Sequence, residues 1–315
     1  MKGSKPTKPT RRQHTVWRKY LRAWATKEQV WCSMGVASFR AGLMNVGQEK
    51  DFYRVRDMTD QDIALVHAAF VAPMNSEIQK RAAERWLTDF NMLSRIRRHL
   101  ESQGIDAASE LEPMYIEVEE KLHGDIERNA LPLLERLLAA ETFCLDDEDD
   151  YIVFVHFLMT QYFRTNRLLA NVKRGMGDRF HGTIERSMGA LRHIFATAAG
   201  FTLFAERSTM KPRMLLNDTN VPLITGDQPV INALAVDLPV DVAVQDCEFY
   251  YPLSPKKALV ITASDRFSSG RITDAPQAQE FNRLIAVAAE RQIYAASESD
   301  LTDVSCLVGQ HIAKR

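Results

Sequence analysis

Residues able to carry acid–base or charge-stabilising chemistry sit at a few well-marked positions. Asp227 lies in Val221-Pro-Leu-Ile-Thr-Gly-Asp-Gln-Pro-Val-Ile-Asn232, between two apolar, strand-like arms. Gly226 permits unusual backbone angles, while Pro229 fixes its own φ and biases Gln228 towards extended backbone. A carboxylate held at such a bend can act as a general base, orient a histidine or bind a divalent cation. It can equally cap the turn by accepting backbone N–H groups. His14 titrates near neutrality and suits proton transfer, and it stands where a basic tail meets structured chain. Gln161 and Arg164 are one helical turn apart near the end of an apolar helix. Arginine there can grip a phosphate or carboxylate with two parallel hydrogen bonds. Alternatively it ties the helix to the sheet through a salt bridge, with Asp227 one available partner.

A second constellation is Glu120-Lys-Leu-His123, a Glu-x-x-His pair at the spacing used by di-iron bundles. Glu127, one turn further, is an extra carboxylate for the same pocket. A complete site of that kind needs a second such pair, and only Asp178-x-x-His181 is available. There is no Walker loop, dinucleotide fingerprint, Gly-x-Ser-x-Gly elbow or His-Glu-x-x-His motif. Ser254, between Leu253 and Pro255, reads as a turn residue rather than a nucleophile.

The elements that must position these groups follow from patterning. Residues 1–12 form a basic, Pro-containing tail. Val16, Tyr20, Leu21 and Trp24 recur at helical spacing. Residues 29–56 read as an extended, hairpin-like excursion that can join a sheet. From about 59 to 205 the pattern is helical. Ser76-x-x-Gln79 reads as a capping box, and Gly104 closes that helix. A further helix spans about 113 to 139, with Pro132 expected to kink it. The run Asp146-Asp-Glu-Asp-Asp150 caps a buried helix over 151–170, where negative charge suits the helix N-terminus. After Lys211 strand-like segments alternate with turn residues, then a helix over 276–291 and a return strand over 292–296. The fold class is therefore α+β: a helical centre packed on a mostly antiparallel sheet formed chiefly by the C-terminal third. Residues 13–315 are expected to form one interlocked domain.

Composition narrows the function classes. The chain has 315 residues, 45% of them apolar, and a formal net charge of −1, so no global field favours nucleic acid or membrane. Its local basic faces are the tail and the helix side bearing Arg81, Arg85, Arg95 and Arg98. Either is a solvated surface or a contact for phosphate. The four cysteines are far apart, which argues against a zinc ribbon or a disulfide scaffold and for reduced thiols in a cytoplasm. No signal peptide is visible. The most apolar run, 151–163, is shorter than the roughly 20 residues of a membrane span.

Four stretches resemble one family. Ile224-Thr-Gly-Asp-Gln-Pro-Val230 is similar to the Thr-Ser-Asp-x-Pro-Val signature of the bacterial domain-of-unknown-function family DUF4238. Gln13-His14-Thr-Val-Trp-Arg-Lys-Tyr20-Leu21-Arg-Ala-Trp24 resembles its opening motif, Gln161-Tyr-Phe-Arg164-Thr165 its Gln-x-x-Arg-Thr-Pro, and Tyr251-Pro-Leu-Ser-Pro255 its Pro-Leu-Ser-Pro. Trp17 and Asn166 stand where the family usually has proline, which bears on local backbone shape. The resemblance carries no settled activity. The residues themselves suggest a hydrolase acting on a phosphodiester of RNA or DNA. His14 and Asp227 would supply acid–base chemistry and Arg164 charge stabilisation, with Gln161, Tyr20, Arg81 and Arg85 in binding roles. A divalent cation is a possible cofactor. The alternative is a non-catalytic nucleic-acid-binding or regulatory module, in which the same polar motifs form a structural network. In both readings His14, Arg164 and Asp227 are expected within reach of one another.

Overall fold

Residues 10–141, 145–239, 242 and 244–310 are described by a computed structural model. Most of the expected tail, 1–9, and Cys144 lie outside those residues. The end of the tail is structured. Strand β1 (Arg12–His14) pairs antiparallel with β4 (Gln48–Lys50), and Arg11 Nε donates to Asp51 Oδ1 at 2.8 Å. A short helix, α1 (Arg18–Leu21), follows.

Strands β2 (Gln29–Ser33) and β3 (Ser38–Gly42) form the expected hairpin. It joins β11 (Ile293–Ala295) and β6 (Thr225–Gly226) in a four-stranded sheet of order β3-β2-β11-β6. The other strands are β5 (Lys211–Asn217), β7 (Ile231–Asn232), β8 (Glu248–Ser254), β9 (Lys257–Thr262) and β10 (Arg271–Ile272). They form a five-stranded sheet of order β10-β5-β9-β8-β7. Only the β10–β5 pairing in these sheets is parallel. The architecture is α+β. Two sheets replace the single expected one, and the bend around Asp227 carries the chain from one to the other.

The helical centre comprises α2 (Asp60–Val66), α3 (Glu77–Ser102), α4 (Ala108–Leu138), α5 (Glu148–Phe163), α6 (Asn166–Met176) and α7 (His181–Ala205), and α8 (Ala275–Ala288) follows the strands. The expected helix over 151–170 is divided at Arg164–Thr165, where Thr165 adopts φ −91°, ψ 162°. Helix α4 begins ahead of the expected Pro113 and runs through both Pro113 and Pro132. Ser76 caps α3, but the box is half made, because the Gln79 amide donates to the Ala198 carbonyl instead. Asp147 accepts the Asp149 and Asp150 N–H groups, as the acidic run suggests.

The complete capping box belongs to α2. Thr59 and Asp62 exchange side-chain and backbone hydrogen bonds. Asp62 is 1% exposed and also takes two hydrogen bonds from Arg186, at 2.8 and 2.7 Å, and one from Thr183. Burial opposes the Asp62 charge, but these donors outweigh it and hold the carboxyl below its ordinary value. A depressed folded pKa gives stability that is complete above the unfolded value, 3.8, and lost as pH falls below it. An Asp62→Asn variant is therefore expected to show its largest stability deficit near neutrality and a shrinking deficit on acidification. Urea midpoints of both proteins across the acid range check this; a deficit independent of pH would contradict it.

Candidate functional site

The four sequence motifs meet where the two sheets and α5 come together. Tyr20 lies under this junction, stacked on Tyr251 with ring centroids 5.0 Å apart. Its hydroxyl is 2.7 Å from both Thr225 Oγ1 and the Pro252 carbonyl, so one side chain bridges β6 to β8. Trp24 Nε1 donates to the Leu223 carbonyl at 2.8 Å. Thr165 Oγ1 donates to Gln228 Oε1 at 2.5 Å, and Gln228 Nε2 donates to the Tyr162 and Val230 carbonyls. Ser254 Oγ accepts the Lys256 N–H at 3.3 Å, a turn role.

Asp227 serves the backbone. Its Oδ1 accepts the Glu290 N–H at 2.9 Å, and its Oδ2 accepts those of Arg291 and Gln292 at 2.7 and 3.0 Å. Its own N–H donates to the Gln292 carbonyl at 2.9 Å. The carboxylate thus fastens the sheet-crossing bend to the turn between α8 and β11. Burial pushes its pKa up, and the three N–H groups work against that shift. Neither His14 nor Arg164 is among its hydrogen-bond partners.

Arg164 takes Glu127 rather than Asp227 as its carboxylate. It is 1% exposed, its Nη1 donates to Glu127 Oε1 at 2.6 Å, and its Nε donates to the Thr15 carbonyl at 3.0 Å. Burial works against its charge, and Tyr53 and Glu127 more than offset that. His14 is half-buried, with its Nε2 enclosed and unpartnered. Burial, then Arg18 and Arg164, lower its pKa and favour the neutral ring. Arg164 acts electrostatically on His14, and Asp227 makes a direct hydrogen bond to neither. Gln161 is buried, and its Nε2 also lacks a partner.

The arginine face of α3 makes no hydrogen bond or ion pair to this network among the described residues. Arg85 donates to both oxygens of Asp89, one helical turn on, so its charge is locally paired. Arg98 lies 3.6 Å from Asp60, whereas exposed Arg81 and Arg95 have no ion pair among the described residues.

Two cavities flank the motif network and share the wall Thr165, Arg167, Gln228 and Ala288. The larger, about 580 Å³, is lined by Tyr162, Phe163, Val236 and Leu238 together with Asn171 and Arg174. The smaller, about 240 Å³, includes Thr15, Asn166 and Asp227. Arg167 is half-buried, and burial lowers its pKa. Its Nη1 donates to the Ala288 carbonyl at 3.0 Å, and Tyr162, Glu290 and Asp227 partly offset the effect of burial on its charge. Thr165, at the N-terminus of α6, makes no capping hydrogen bond because its hydroxyl is given to Gln228.

A further polar cluster is sealed among the helices. Glu119 and His123 on α4 and His193 on α7 are 1%, 3% and 0% exposed. Arg192 Nη1 donates to Glu119 Oε1 at 3.0 Å. All four ring nitrogens of the two histidines lack a hydrogen-bond partner. Such a group costs about 1–3 kcal/mol when buried. Burial is the first cause that drives both rings towards the neutral form, followed by Arg164 for His123 and by His123 for His193. The rings pack on aromatics: His193 stacks on Trp86 at 4.7 Å, and His123 lies 4.5 Å from Tyr53.

This cluster corrects the Glu-x-x-His reading. The carboxylate beside His123 is Glu119, four residues before it, while Glu120 is half-buried towards Gln13. Glu127 belongs to Arg164. Asp178 is exposed and His181 half-buried, 3.5 Å apart, and neither is among the convergent donors. Arg192-His193 inside an otherwise apolar helical run was the available signal for the missed members. No described helix is long and apolar enough to cross a membrane.

Comparison with curated proteins and with solved structures gave no match. The family model described as "Protein of unknown function (DUF4238)" matches residues 12–299, nearly the whole chain, and the chain belongs to that family.

Proposed function

We propose that the chain is a binding module for a small organic anion, and that its shared motifs are the frame of the binding cleft rather than catalytic machinery. The observation that carries this is Arg167. A half-buried guanidinium that donates to one carbonyl, and whose charge burial disfavours more than Glu290 and Asp227 favour it, stands in the wall common to both cavities. Charges taken out of water are normally fully paired, so a bound anion would complete the compensation of this one. The uncapped N-terminus of α6 adds backbone N–H groups and a favourable dipole on the same side. Arg174 and the apolar lining from Tyr162 to Leu238 suit a ligand with a phosphate or carboxylate on an apolar body. A cavity of about 580 Å³ is of small-molecule size.

Hydrolysis of an RNA or DNA phosphodiester is the competing reading, and His14 is what favours it. An enclosed, neutral imidazole with an unpartnered Nε2 is suited to accept a proton. The carboxylate proposed to work with it, Asp227, is instead engaged by three backbone N–H groups.

Calorimetric titration with nucleotides, aromatic phosphates and aromatic carboxylates tests the proposal. Saturable binding by the wild type is expected, with Arg167→Ala weakening it about 10-fold or more, the loss of one charge-assisted contact. Binding unchanged in Arg167→Ala would overturn the assignment. Cleavage of a single-stranded RNA or DNA probe that is lost in His14→Ala at unchanged stability would favour the hydrolase.

A further inference from the structure

We infer that Glu119, His123 and His193 form a site for a first-row divalent transition ion of the zinc or iron(II) class. The inference is independent of the anion cleft, which it shares no residue with. Its basis is the relative position of three donors. Glu119 and His123 are four residues apart on α4 and so share a face, and His193 reaches them from α7. Glu119 Oε1 lies 3.5 Å from His123 Nε2 and 3.9 Å from His193 Nε2. All three donors fall within 4.8 Å of one another. Tetrahedral coordination with arms of about 2.0–2.1 Å requires ligand atoms about 3.3 Å apart, so small side-chain adjustments complete the geometry.

The second observation is that both imidazoles are fully enclosed yet make no hydrogen bond through either nitrogen. A ring that served only packing would present Cβ and ring carbons to its neighbours and turn one nitrogen to a carbonyl or hydroxyl. Here the nitrogens of two rings converge on one carboxylate. A metal ion uses one lone pair from each ring, and two imidazoles with a carboxylate are a donor set favoured by zinc and iron(II).

The surroundings support a bound ion. Arg192 donates to the same Glu119 oxygen, which holds the carboxylate in place and leaves its other lone pairs for the ion. His156 on α5 is close enough to bear electrostatically on both rings and is a third imidazole on this side. A cleft of about 290 Å³ lined by Phe52, Phe90, Gly189 and Arg192 adjoins the cluster. At Gly189 an added Cβ would meet the Phe90 ring at 2.7 Å and Glu119 Oε2 at 3.0 Å, so the ring and the carboxylate lie together behind that wall. Three protein donors leave a fourth coordination position for water or another ligand.

The probe is Co(II), which reports coordination through its visible d–d absorption. Full-length protein treated with chelator is titrated with Co(II) and followed by absorption and by thermal midpoint. Saturation near one equivalent is expected, with the intense bands of four- or five-coordinate cobalt and a raised midpoint. Added Zn(II) should bleach the bands. His193→Gln should abolish them, whereas His181→Gln, at the Asp178–His181 pair, should leave them intact. Should His193→Gln fail to fold, X-ray absorption on zinc-loaded wild type decides without any variant, since it counts imidazole ligands directly. Lack of saturable binding by folded wild type, an unchanged cobalt spectrum in folded His193→Gln, or a zinc shell without two imidazoles overturns the assignment.

Discussion

Replacing Asp227 with alanine is expected to lower unfolding free energy by about 3–5 kcal/mol. The side chain accepts three backbone N–H groups from Glu290, Arg291 and Gln292. Each hydrogen bond to a charged acceptor is worth about 1.5–3 kcal/mol, and a stranded buried donor costs about 1–3 kcal/mol. Not all of that sum appears, because solvent can reach the half-exposed turn. Asp227→Asn should cost less, since the amide oxygen can still serve the Arg291 and Gln292 N–H groups while its NH2 opposes Glu290. Urea unfolding monitored by far-UV circular dichroism gives both values. The ordering Ala worse than Asn worse than wild type is the signature of a backbone clasp. A fully stable Asp227→Ala protein would remove the structural explanation and return Asp227 to the chemistry for which its position first suggested it.

Such a clasp was half legible. A carboxylate in Thr225-Gly-Asp-Gln-Pro229 reads as a turn cap or a catalytic group from sequence alone, because both need the same rigid bend. What decides is the partner, and the partner lies more than sixty positions along the chain in the α8–β11 turn. The same limit explains the capping boxes. Ser76 and Gln79 have the right spacing, yet α7 offers Gln79 a carbonyl at Ala198, and a tertiary contact replaces the local one. Thr59 and Asp62 satisfy the box and are additionally gripped by Arg186 and Thr183 from α7.

Local patterning carried further where few long-range contacts compete. The acidic run before α5, the Gly104 stop after α3 and the shift to strands after Lys211 all follow from helix dipoles, backbone angles and apolar periodicity. The break at Arg164–Thr165 was not expected, although the polar run Arg164-Thr-Asn-Arg167 interrupts the apolar pattern there. Arg164 leaves the helical run to reach Thr15 and Glu127, and Thr165 leaves it to reach Gln228. The pairing of Glu119 rather than Glu120 with His123 has the same cause at smaller scale. Residues three and four positions away share a helix face, and the packing of α7 against α4 determines which one meets His193.

Arg164 and Glu127 should give single effects as large as that of Asp227. Arg164→Leu leaves a carboxylate that is only 14% exposed without its cation, and it also removes the donor to the Thr15 carbonyl. Breaking a buried pair in this way costs about 3–5 kcal/mol. Glu127→Leu strands a guanidinium that is 1% exposed, at similar cost. The double variant removes both charges together and should be more stable than the sum of the singles allows, with a coupling energy of about 2 kcal/mol or more. Arg164→Lys keeps the charge but not the fork that serves Glu127 and Thr15 at once, so it should recover only part of the loss. Chemical denaturation of the four proteins of the cycle, with Arg164→Lys as a fifth, measures these terms. Additive single effects would show that the ion pair is not what holds this helix end. Strong coupling together with intact anion binding in the double variant would assign Arg164 to the frame. Strong coupling with binding or cleavage abolished in a folded double variant would place it in the functional site.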